Sequence, residues 1–444
     1  MRKIYVLLIA LVAIVFGACN SSEGRPFQEE NITVTENSTV MFGKGNYTDF
    51  ELNMTVRTIG DATGYIAFHT DKNGKGGYQV SIDNTTVGNP QWWTKTGSLL
   101  GVRNLTQSTV ETNEWFDMTI RVEGKSIAVS LNDQLVVDYV EPAIPYRTAE
   151  NARQLLSNGK FAMSNTGGGV IEIKSMNVMP INSEMDIAWQ QSIAIDETTD
   201  HIIRLHQANF PVIDYHVHLK GMTDNEAAVL SRRYGINYVM APNCGIGFPI
   251  TNDEQVIDYV NSMKGKPFLL AMQGEGREWV TTFSKEVREK FDFVFTDALT
   301  FTDTKGRRTR LWVPEEVIID NEQQYMDLIV EKIVEVITNE PIDVYVNPTF
   351  LPEVMNNRYD YFWTDARMDK VIAALLESDV ALEINEHYRI PNKKFVQKAK
   401  DAGLKFTFGT NNMNANFGKL EYCIELKYEV GITVSDMFIP YLNR

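Results

Sequence analysis

The sequence predicts a multidomain chain in which an all-β jelly-roll sandwich precedes an α/β domain built as a seven-stranded β/α barrel. Three observations predict this fold class. The chain has 444 residues, more than one hydrophobic core usually holds. Residues 28–181 contain short runs in which apolar and polar residues alternate, whereas residues 210–444 alternate apolar runs with helical patterns. The composition, 43% hydrophobic and 23% charged, is that of ordinary globular protein.

The N-terminus has the pattern of an export signal. Arg2 and Lys3 precede an apolar run from Ile4 to Phe16 that is too short to span a membrane as a stable helix. Gly17-Ala18-Cys19 follows and resembles a bacterial lipobox. The resemblance implies that residues 1–18 are removed and that Cys19 is lipidated. The protein is then anchored in the cell envelope, on the periplasmic face or on the outer surface of the outer membrane. Cleavage as an ordinary signal peptide is the alternative.

Period-two alternation predicts the strands of the first domain, because successive side chains of a strand point to opposite faces. The clearest runs are 50–56, 65–68, 78–82, 116–122 and 126–131. Asn73-Gly74, Glu123-Gly124 and Asn132-Asp133 are turn sequences between such runs. Short strands, polar turns and the absence of a long helical pattern are typical of an antiparallel sandwich.

Residues 182–209 lose this alternation, so we expect a linker with one short helix. The second domain follows, with strands expected near 211–215, 236–241, 267–273, 292–297, 342–347, 380–384 and 404–409. Helix signals lie between them: a capping box at Thr223 and Glu226, stops at Gly235 and Gly403, and a cap at Thr364. Seven strand–helix units suit a closed or nearly closed parallel barrel.

The net charge disfavours one class of partner, and the cysteine content leaves disulfide pairing open. The formal net charge of −16 disfavours nucleic acid, because repulsion from a phosphate backbone is not offset. Cys244 and Cys423 are the cysteines beyond the signal segment, and their spacing alone does not show whether they pair.

Polar residues end all seven predicted barrel strands. In a parallel barrel these carboxyl ends converge at one opening, here called the barrel mouth, where functional groups lie. The residues at the predicted strand ends are Asp214, His216, His218, Asn243, Cys244, Gln273, Glu275, Thr296, Asp297, Asn347, Glu383, Asn385, Glu386, His387, Thr410, Asn411 and Asn412. This clustering predicts a binding or catalytic site in the barrel domain.

His216-Val217-His218 is the most specific motif. A strand places both imidazoles on one face, and two neutral imidazoles with a carboxylate suit a divalent cation such as zinc, manganese or iron. We therefore expect His216, His218 and Glu275 to hold one metal ion. The alternative is that both histidines are partly buried and bonded to backbone.

Further candidates are assigned by residue type. Glu275, Asp297 and His387 are candidate catalytic groups. Guanidinium forks bind carboxylate or phosphate, and aromatic faces stack on sugar rings. The candidate substrate-binding residues are Arg307, Arg308, Arg310, Trp312, Asn347, Trp363, Glu383, Arg389 and Asn411. The alternatives are a solvated basic loop and a small aromatic core.

Residues 205–444 resemble the polymerase and histidinol phosphatase family of metal-dependent hydrolases, which have a distorted seven-stranded barrel. The resemblance is carried by His216-Val217-His218, Glu275, Asn347-Pro348 and Gly409-Thr410-Asn411. It implies metal ligation by His216, His218 and Glu275, and attack of bound water on an ester or related bond. Asn243-Cys244, Asn347, Asn411 and Met413 replace ligands of the family. One metal, with Asp297 as a candidate further ligand, is therefore expected rather than three, and an amide-lined pocket that binds substrate without metal is the alternative.

Residues from about 49 to 180 resemble the concanavalin-like sandwich family of 3-keto-disaccharide hydrolase. The carrying segments are 49–52, 77–83, 96–99, 113–116 and 131–133. Residues 159–164 depart from the family pattern, which favours a binding or packing role over catalysis. Trp92 and Trp93 are expected to line a sugar-binding face or to pack at its rim or core.

Together these observations predict a cell-envelope lipoprotein that hydrolyses a carbohydrate or sugar derivative, a glycoside or 3-keto-glycoside, at the barrel mouth. The sandwich would assist substrate binding. Two alternatives stay open: a non-catalytic, glycan-binding surface lipoprotein, and a phosphoesterase.

Overall fold

The computed structural model describes residues 23–85, 92–182 and 200–440. The predicted signal segment, Cys19 and most of the predicted linker lie outside these ranges. Among the described residues, no helix combines the length and apolar character that crossing a membrane requires.

The first domain is a sandwich of two antiparallel sheets, as the alternation predicts. Its strands are β1 (Phe27–Thr35), β2 (Ser38–Tyr47), β3 (Phe50–Ile59), β4 (Thr63–Thr70), β5 (Tyr78–Asp83), β6 (Phe116–Glu123), β7 (Ser126–Leu131), β8 (Gln134–Val140), β9 (Gly159–Asn165) and β10 (Val170–Pro180). One sheet has the order β1-β10-β3-β6-β7-β8 and the other β2-β9-β4-β5.

Alternate residues of these strands fill the space between the sheets. In β3 every second residue from Phe50 is buried, and the residues between them are partly exposed. Phe50 contacts Phe68 and Phe161 of the opposite sheet, with ring centroids 5.4 and 4.7 Å apart in edge-on geometry. Aromatic pairs across the two sheets therefore fix their separation.

The second domain is a parallel, nearly closed barrel, and the seven predicted strands are confirmed. They are β11 (Ile213–Val217), β12 (Asn237–Met240), β14 (Leu269–Gly274), β15 (Phe293–Thr296), β18 (Val344–Tyr345), β19 (Ala381–Asn385) and β20 (Phe406–Gly409), in that spatial order, with the short β13 (Asn243–Cys244) beside β14. The ring is joined where the Asn411 backbone N–H donates to the His216 carbonyl at 2.9 Å.

Helices cover the outside of the barrel. They are α1 (His201–Gln207), α2 (Asp224–Tyr234), α3 (Asp253–Met263), α4 (Trp279–Thr282), α5 (Lys285–Arg288), α6 (Glu322–Asn339), α7 (Glu353–Asn356), α8 (Tyr359–Phe362), α9 (Asp365–Glu377), α10 (Lys393–Asp401) and α11 (Glu421–Val430). The capping box of Thr223 and Glu226 is formed, and Gly235 ends α2 with φ 72°. Thr364 is the N-cap of α9 without a side-chain cap bond.

One predicted loop has regular structure. The basic segment after the fourth barrel strand forms a hairpin of β16 (Thr300–Thr302) and β17 (Arg308–Arg310). Pairing of the two short strands holds the basic residues in a fixed register.

The two domains are joined by buried polar contacts. Trp92 and Trp93 pack into the hydrophobic core of the barrel domain, and the Trp93 indole N–H donates to Asn209 Oδ1 at 3.1 Å. Gln207 donates to the Gly101 carbonyl at 2.6 Å and accepts from the Thr148 N–H at 3.1 Å. The two tryptophans are therefore interdomain core residues, and a sugar-binding face at this position is not formed. They are buried because each ring lies against the second domain.

Cys244 and Cys423 are both buried and both free. The fold is therefore held by packing and hydrogen bonds and not by a bridge between these two residues.

Candidate active site

His216, at the end of β11, lies at the centre of the barrel mouth. Its Nδ1 contacts Glu383 Oε1 at 2.6 Å, and its Nε2 contacts Gln273 Oε1 at 3.2 Å. The side chains of His216 and Glu383 are each 1% exposed. Burial opposes the charged imidazole, but attraction to the Glu383 carboxylate outweighs it and raises the pKa of His216. His216 and Glu383 therefore form a buried, oriented ion pair.

Glu383 connects this pair to the next strand ends. Its Oε2 accepts from the Asn347 backbone N–H and from Asn385 Nδ2, both at 2.9 Å. Asn385 Nδ2 also donates to Asn347 Oδ1 at 2.9 Å. The second donor to that oxygen is Asn411 Nδ2, at 3.1 Å. The amides that end three strands thus form one connected network with the ion pair.

Asn347 and Asn411 adopt left-handed backbone conformations, with φ 51° and 45°. Asparagine tolerates this region better than most residues, and the backbone strain turns both chains sharply at the strand ends. The amide side chains are thereby directed into the network instead of continuing along the strands.

Close approach at this point requires glycine in β20. A Cβ atom on Gly409 would contact the Glu383 carboxylate and would lie 2.8 Å from the His216 Cβ. The Gly-Thr-Asn segment therefore has a steric role, because it allows the last strand to pack against the buried ion pair.

Asp297, after β15, extends the network to the opening. Its Oδ2 accepts from Asn347 Nδ2 at 2.9 Å, and its Oδ1 accepts from the Leu299 N–H at 3.0 Å. As a whole residue Asp297 is partly exposed, although its carboxyl group is enclosed by these partners. Burial raises the pKa of this carboxyl group, while the two hydrogen bonds oppose the shift.

Glu275, which follows β14, is the second partly exposed carboxyl group of the barrel mouth. Its Oε1 accepts from Asn243 Nδ2 at 2.5 Å and from Gln273 Nε2 at 3.0 Å. Burial and the neighbouring charge of Asp297 raise the pKa of Glu275 to about 7. Its protonated form therefore persists to higher pH than that of an ordinary glutamate, which is ionised at neutral pH.

His218 has a different environment from His216. Its Nδ1 contacts the Ala241 carbonyl at 2.7 Å, and its backbone N–H donates to Asn412 Oδ1 at 2.8 Å. Burial, with the charges of His216 and Lys220, lowers the pKa of His218 to about 3. The ring is thus neutral, and the two rings lie with centroids 5.0 Å apart.

Asp214 stabilises the backbone that carries the site residues. Its Oδ1 accepts from the backbone N–H groups of His216 and Thr410, at 3.1 and 2.9 Å, and its Oδ2 accepts from the Thr410 hydroxyl at 2.5 Å. Burial raises the pKa of Asp214 to about 7. Because these bonds join the first and last strands, Asp214 positions the mouth and does not face a ligand.

The donor set does not fit the metal site that the barrel resemblance implies. Glu383 orients the His216 ring, and the Ala241 carbonyl orients the His218 ring. However, Gln273 Oε1 contacts His216 Nε2, the nitrogen that would bind a metal, and Glu275 accepts from Asn243 and Gln273. Within residues 23–85, 92–182 and 200–440, no group of three or more His, Cys, Asp or Glu side chains could hold a metal ion. His216, His218 and Glu275 thus do not complete a coordination shell.

The predicted basic residues of the hairpin have partners of their own. Arg307 binds Asp303, with Nη2 and Oδ2 2.6 Å apart, and the Arg310 Nε atom donates to Glu316 at 3.0 Å. Arg308 is exposed, and Trp312 is 41% exposed. Arg307 and Arg310 are therefore largely neutralised, which leaves Arg308 and Trp312 as the surface of the hairpin open to a ligand.

Three other candidates lie away from the network. Trp363 is 1% exposed and its indole N–H donates to the Thr349 carbonyl at 3.0 Å, so its ring is a core element and offers no face to a sugar. Arg389 is exposed, binds Glu425 at 3.1 Å and lies over the Tyr422 ring. His387 is exposed, with its ring against that of Tyr388.

Arg277 is a site residue that sequence reasoning missed. Its Nη1 donates to Glu340 at 2.8 Å, and its Nη2 donates to the Asp297 carbonyl at 2.7 Å and to the Thr296 hydroxyl at 3.1 Å. The sequence signal that could have identified Arg277 is its position directly after Glu275-Gly276. A turn that directs Glu275 into the barrel mouth also brings the neighbouring residues there. Gln273 and Asn385 were noted at strand ends but given no role.

Comparison with known proteins concerns the sandwich. Residues 20–179 match the family model of the 3-keto-alpha-glucoside-1,2-lyase-like domain, which covers less than half of the chain. The sandwich resemblance predicted from sequence is thereby confirmed. No curated protein matches the sequence.

Solved structures similar to the chain cover a comparable part of it. A proposed glycosyl hydrolase from Parabacteroides distasonis ATCC 8503 is 13% identical, over 34% of this chain and 81% of that chain, with a TM-score of 0.31. The carbohydrate-binding module CBM66 from Bacillus subtilis is 16% identical, over 34% of this chain and 89% of that chain, with a TM-score of 0.24. Likenesses of this size do not distinguish one activity from another. The N-terminal domain thus resembles a 3-keto-glycoside-cleaving family, and the barrel is characterised by its own geometry.

Proposed function

We propose that the protein is a carbohydrate-active hydrolase of the cell envelope that cleaves a glycoside or 3-keto-glycoside by acid–base chemistry at the barrel mouth. The observation that carries the proposal is the pair of carboxyl groups on Glu275 and Asp297, residues that are partly exposed at the barrel mouth. They lie at neighbouring strand ends and are fixed by amides beside the buried His216–Glu383 pair.

The lining of the barrel mouth favours a polyhydroxylated ligand. Carboxylates and primary amides offer paired donors and acceptors that match sugar hydroxyl groups. The same lining opposes a phosphate ester, because the ionised Asp297 contributes negative charge there while the charge of His216 is already balanced by Glu383. The match of the sandwich to a 3-keto-alpha-glucoside-1,2-lyase-like domain supports the same ligand class. A glycoside is therefore preferred over the phosphoesterase alternative.

The two carboxyl groups can divide the chemistry of hydrolysis. Protonated Glu275 gives its proton to the glycosidic oxygen as the bond from that oxygen to the anomeric carbon breaks. Ionised Asp297 takes a proton from the water that attacks the anomeric carbon. The products are two free sugars, or a sugar and an alcohol, and the residues have exchanged protonation states.

A 3-keto substrate permits a second course with the same residues. The ketone acidifies the proton on C2, so Asp297 can remove it while Glu275 protonates the leaving oxygen. The products are then a C1–C2 unsaturated keto-sugar and the free alcohol, and the unsaturated sugar is later hydrated. Product analysis distinguishes this elimination from direct hydrolysis.

Non-catalytic glycan binding is the second candidate function. It is favoured by the number of amides at the mouth, since Asn347, Asn385 and Asn411 are bonded chiefly to one another and to Glu383. Such a network is a rigid support that does not react, so the partly exposed residues Glu275 and Asp297 could bind hydroxyl groups without any bond breaking.

The experiment is a turnover screen with the purified mature chain on glycosides, 3-keto-glycosides and phosphosugars. We expect release of the alcohol from a glycoside or 3-keto-glycoside, and abolition of turnover in Asp297→Asn. Asp303→Asn serves as the matched control because its carboxylate binds Arg307 outside the network. Saccharide binding without turnover would favour the second candidate, and phosphate release would contradict the sugar-cleaving assignment.

We also propose that the mature chain is held in the cell envelope by lipid on Cys19. Support comes from the sequence alone, where small residues precede Cys19 after a short apolar run. In cells fed a labelled fatty acid, the wild-type chain should become labelled and sediment with membranes, and Cys19→Ser should do neither. A labelled Cys19→Ser chain would refute the anchor.

A further inference from the structure

A cavity of about 670 Å³ lies between the sandwich and the barrel domain. This volume is within the range of small-molecule sites, roughly 300–1,000 Å³. Its lining combines cationic and aromatic side chains from both domains: Arg103, Tyr139, Arg232, Arg233, Tyr234 and Lys419. A cavity built from both domains and fixed by their buried joint is preformed for a ligand.

Arg103 is the unusual member of this lining. It is 5% exposed, and its hydrogen bonds go to neutral groups. Nη2 donates to the Ser231 hydroxyl at 2.8 Å, and Nη1 donates to Asn237 Oδ1 at 3.2 Å. Its Nε has no hydrogen-bond partner in the described structure. A buried guanidinium beside neutral partners alone is unfavourable unless an anion approaches it.

Cationic side chains outnumber acidic ones around Arg103. Arg233 and Lys419 are exposed at the cavity, and Arg232 donates to the Leu135 carbonyl at 3.2 Å. Asp138, which also lines the cavity, partly offsets this positive charge, because its negative charge favours the charged form of Arg232. Asp200, which also lines the cavity, is occupied as the N-cap of α1. In a chain of net charge −16, this is a local excess of positive charge.

The cavity is separate from the barrel mouth. Tyr234 and Gly235 lie where α2 ends and leads into the amino end of β12, whereas the catalytic candidates follow the carboxyl ends of the strands. None of the residues lining the cavity belongs to the His216–Glu383 network. A ligand bound in the interdomain cavity would therefore not contact the candidate catalytic groups.

We propose that this interdomain cavity is a second saccharide site, selective for acidic sugars that bear a carboxylate or sulfate group. Arg233 and Lys419 receive the anion at the opening, Arg103 supplies the positive potential behind them, and Tyr139 offers a ring face to the sugar. The Tyr234 ring lies 5.3 Å from Lys419 Nζ and positions that cation. The site goes beyond the proposed cleavage at the mouth, because it would retain an acidic glycan on the protein.

Calorimetric titration of the full mature chain tests the proposal, with digalacturonate, glucose 6-sulfate and neutral galactobiose as probes. We expect at least one acidic probe to bind, more weakly at higher salt, and any binding of the neutral probe at the barrel mouth to be independent of Arg233 and Lys419. The Arg233→Gln/Lys419→Gln double variant should weaken binding by about tenfold or more, because it removes charge-assisted contacts. Both positions are exposed, so folding is preserved.

Two controls separate this site from the rest of the protein. Lys290→Gln removes an exposed cation that does not line the cavity and should leave binding unchanged. Glu275→Gln should also leave it unchanged, whatever its effect on turnover, so this proposal and the proposed function can fail independently. The proposal is overturned if no acidic probe binds, if the double variant weakens galactobiose binding as much as acidic-probe binding, or if the double variant binds the acidic probes like the wild type.

Discussion

Glu275→Gln is expected to lower kcat on the selected glycoside by about 10²–10⁴-fold, the range that general acid–base groups contribute. Glutamine is isosteric and keeps an oxygen to accept from Asn243 and Gln273, so the mouth should retain its shape. It has no proton to give to the leaving oxygen. The KM should change little by comparison, because the residue acts on the reacting bond and not on overall binding.

The matched control is Glu278→Gln, three residues further along the chain and exposed. Its kcat should equal that of the wild type. Substrates with highly acidic leaving groups should be cleaved almost normally by Glu275→Gln, because such groups depart without protonation. A loss of turnover that is equal for all leaving groups would contradict the general-acid role.

The pH dependence follows from the same assignment. Because burial and Asp297 raise the pKa of Glu275 to about 7, its protonated form is present at neutral pH and is lost above it. The wild-type kcat should therefore fall as pH rises through about 7, and this limb should disappear in Glu275→Gln.

Glu383→Ala is expected to have the largest effect on stability, about 3–5 kcal/mol, which is the loss usual for removing one partner of a buried ion pair. The substitution leaves the His216 imidazole buried without its counter-charge and removes the acceptor for the Asn347 N–H and the Asn385 amide. Urea unfolding at neutral pH measures it. Glu377→Ala is the control, an exposed helical acid whose loss should change stability by less than about 0.5 kcal/mol.

A double-mutant cycle identifies the cause of that loss. If the His216–Glu383 contact is responsible, His216→Ala/Glu383→Ala should be less destabilised than the sum of the two single variants. Additive effects would show that Glu383 acts through the asparagine network alone.

The fold was predictable because its signals are local. Alternation in β3 and the caps around α2 depend on residues a few positions apart, so the sequence shows them directly. The seven parallel strands followed from apolar runs between helical patterns. The packing of Trp92 and Trp93 into the barrel core depends on how two domains meet, which no local pattern reports.

The site was predictable in its position but only partly in its contacts. Strand-end polarity placed His216, Glu275, Asp297 and Asn347 together, since parallel strands converge at one opening. The partner of His216 is 167 positions away, and that pairing is set by barrel register. Glu383 was therefore predicted as a substrate contact although its carboxylate is occupied by the histidine.

The loop residues show a second reason why residue type alone did not predict the contacts of the site. Arg307 and Arg310 suggested anion binding by residue type, but each has an acid within six positions that neutralises it. Trp363 suggested a stacking face, yet a buried indole bonded to Thr349 packs the loop. Composition gives the chemistry a side chain can perform, whereas its partners decide whether it is free to perform it.

The most direct test of acid–base catalysis at the barrel mouth compares turnover of the selected glycoside before and after metal removal, with elemental analysis of the same protein. We expect no stoichiometric zinc, manganese or iron and an unchanged kcat after chelation, because carboxyl groups carry the reaction. A stoichiometric metal, with activity lost on chelation and restored by adding that metal, would contradict the account.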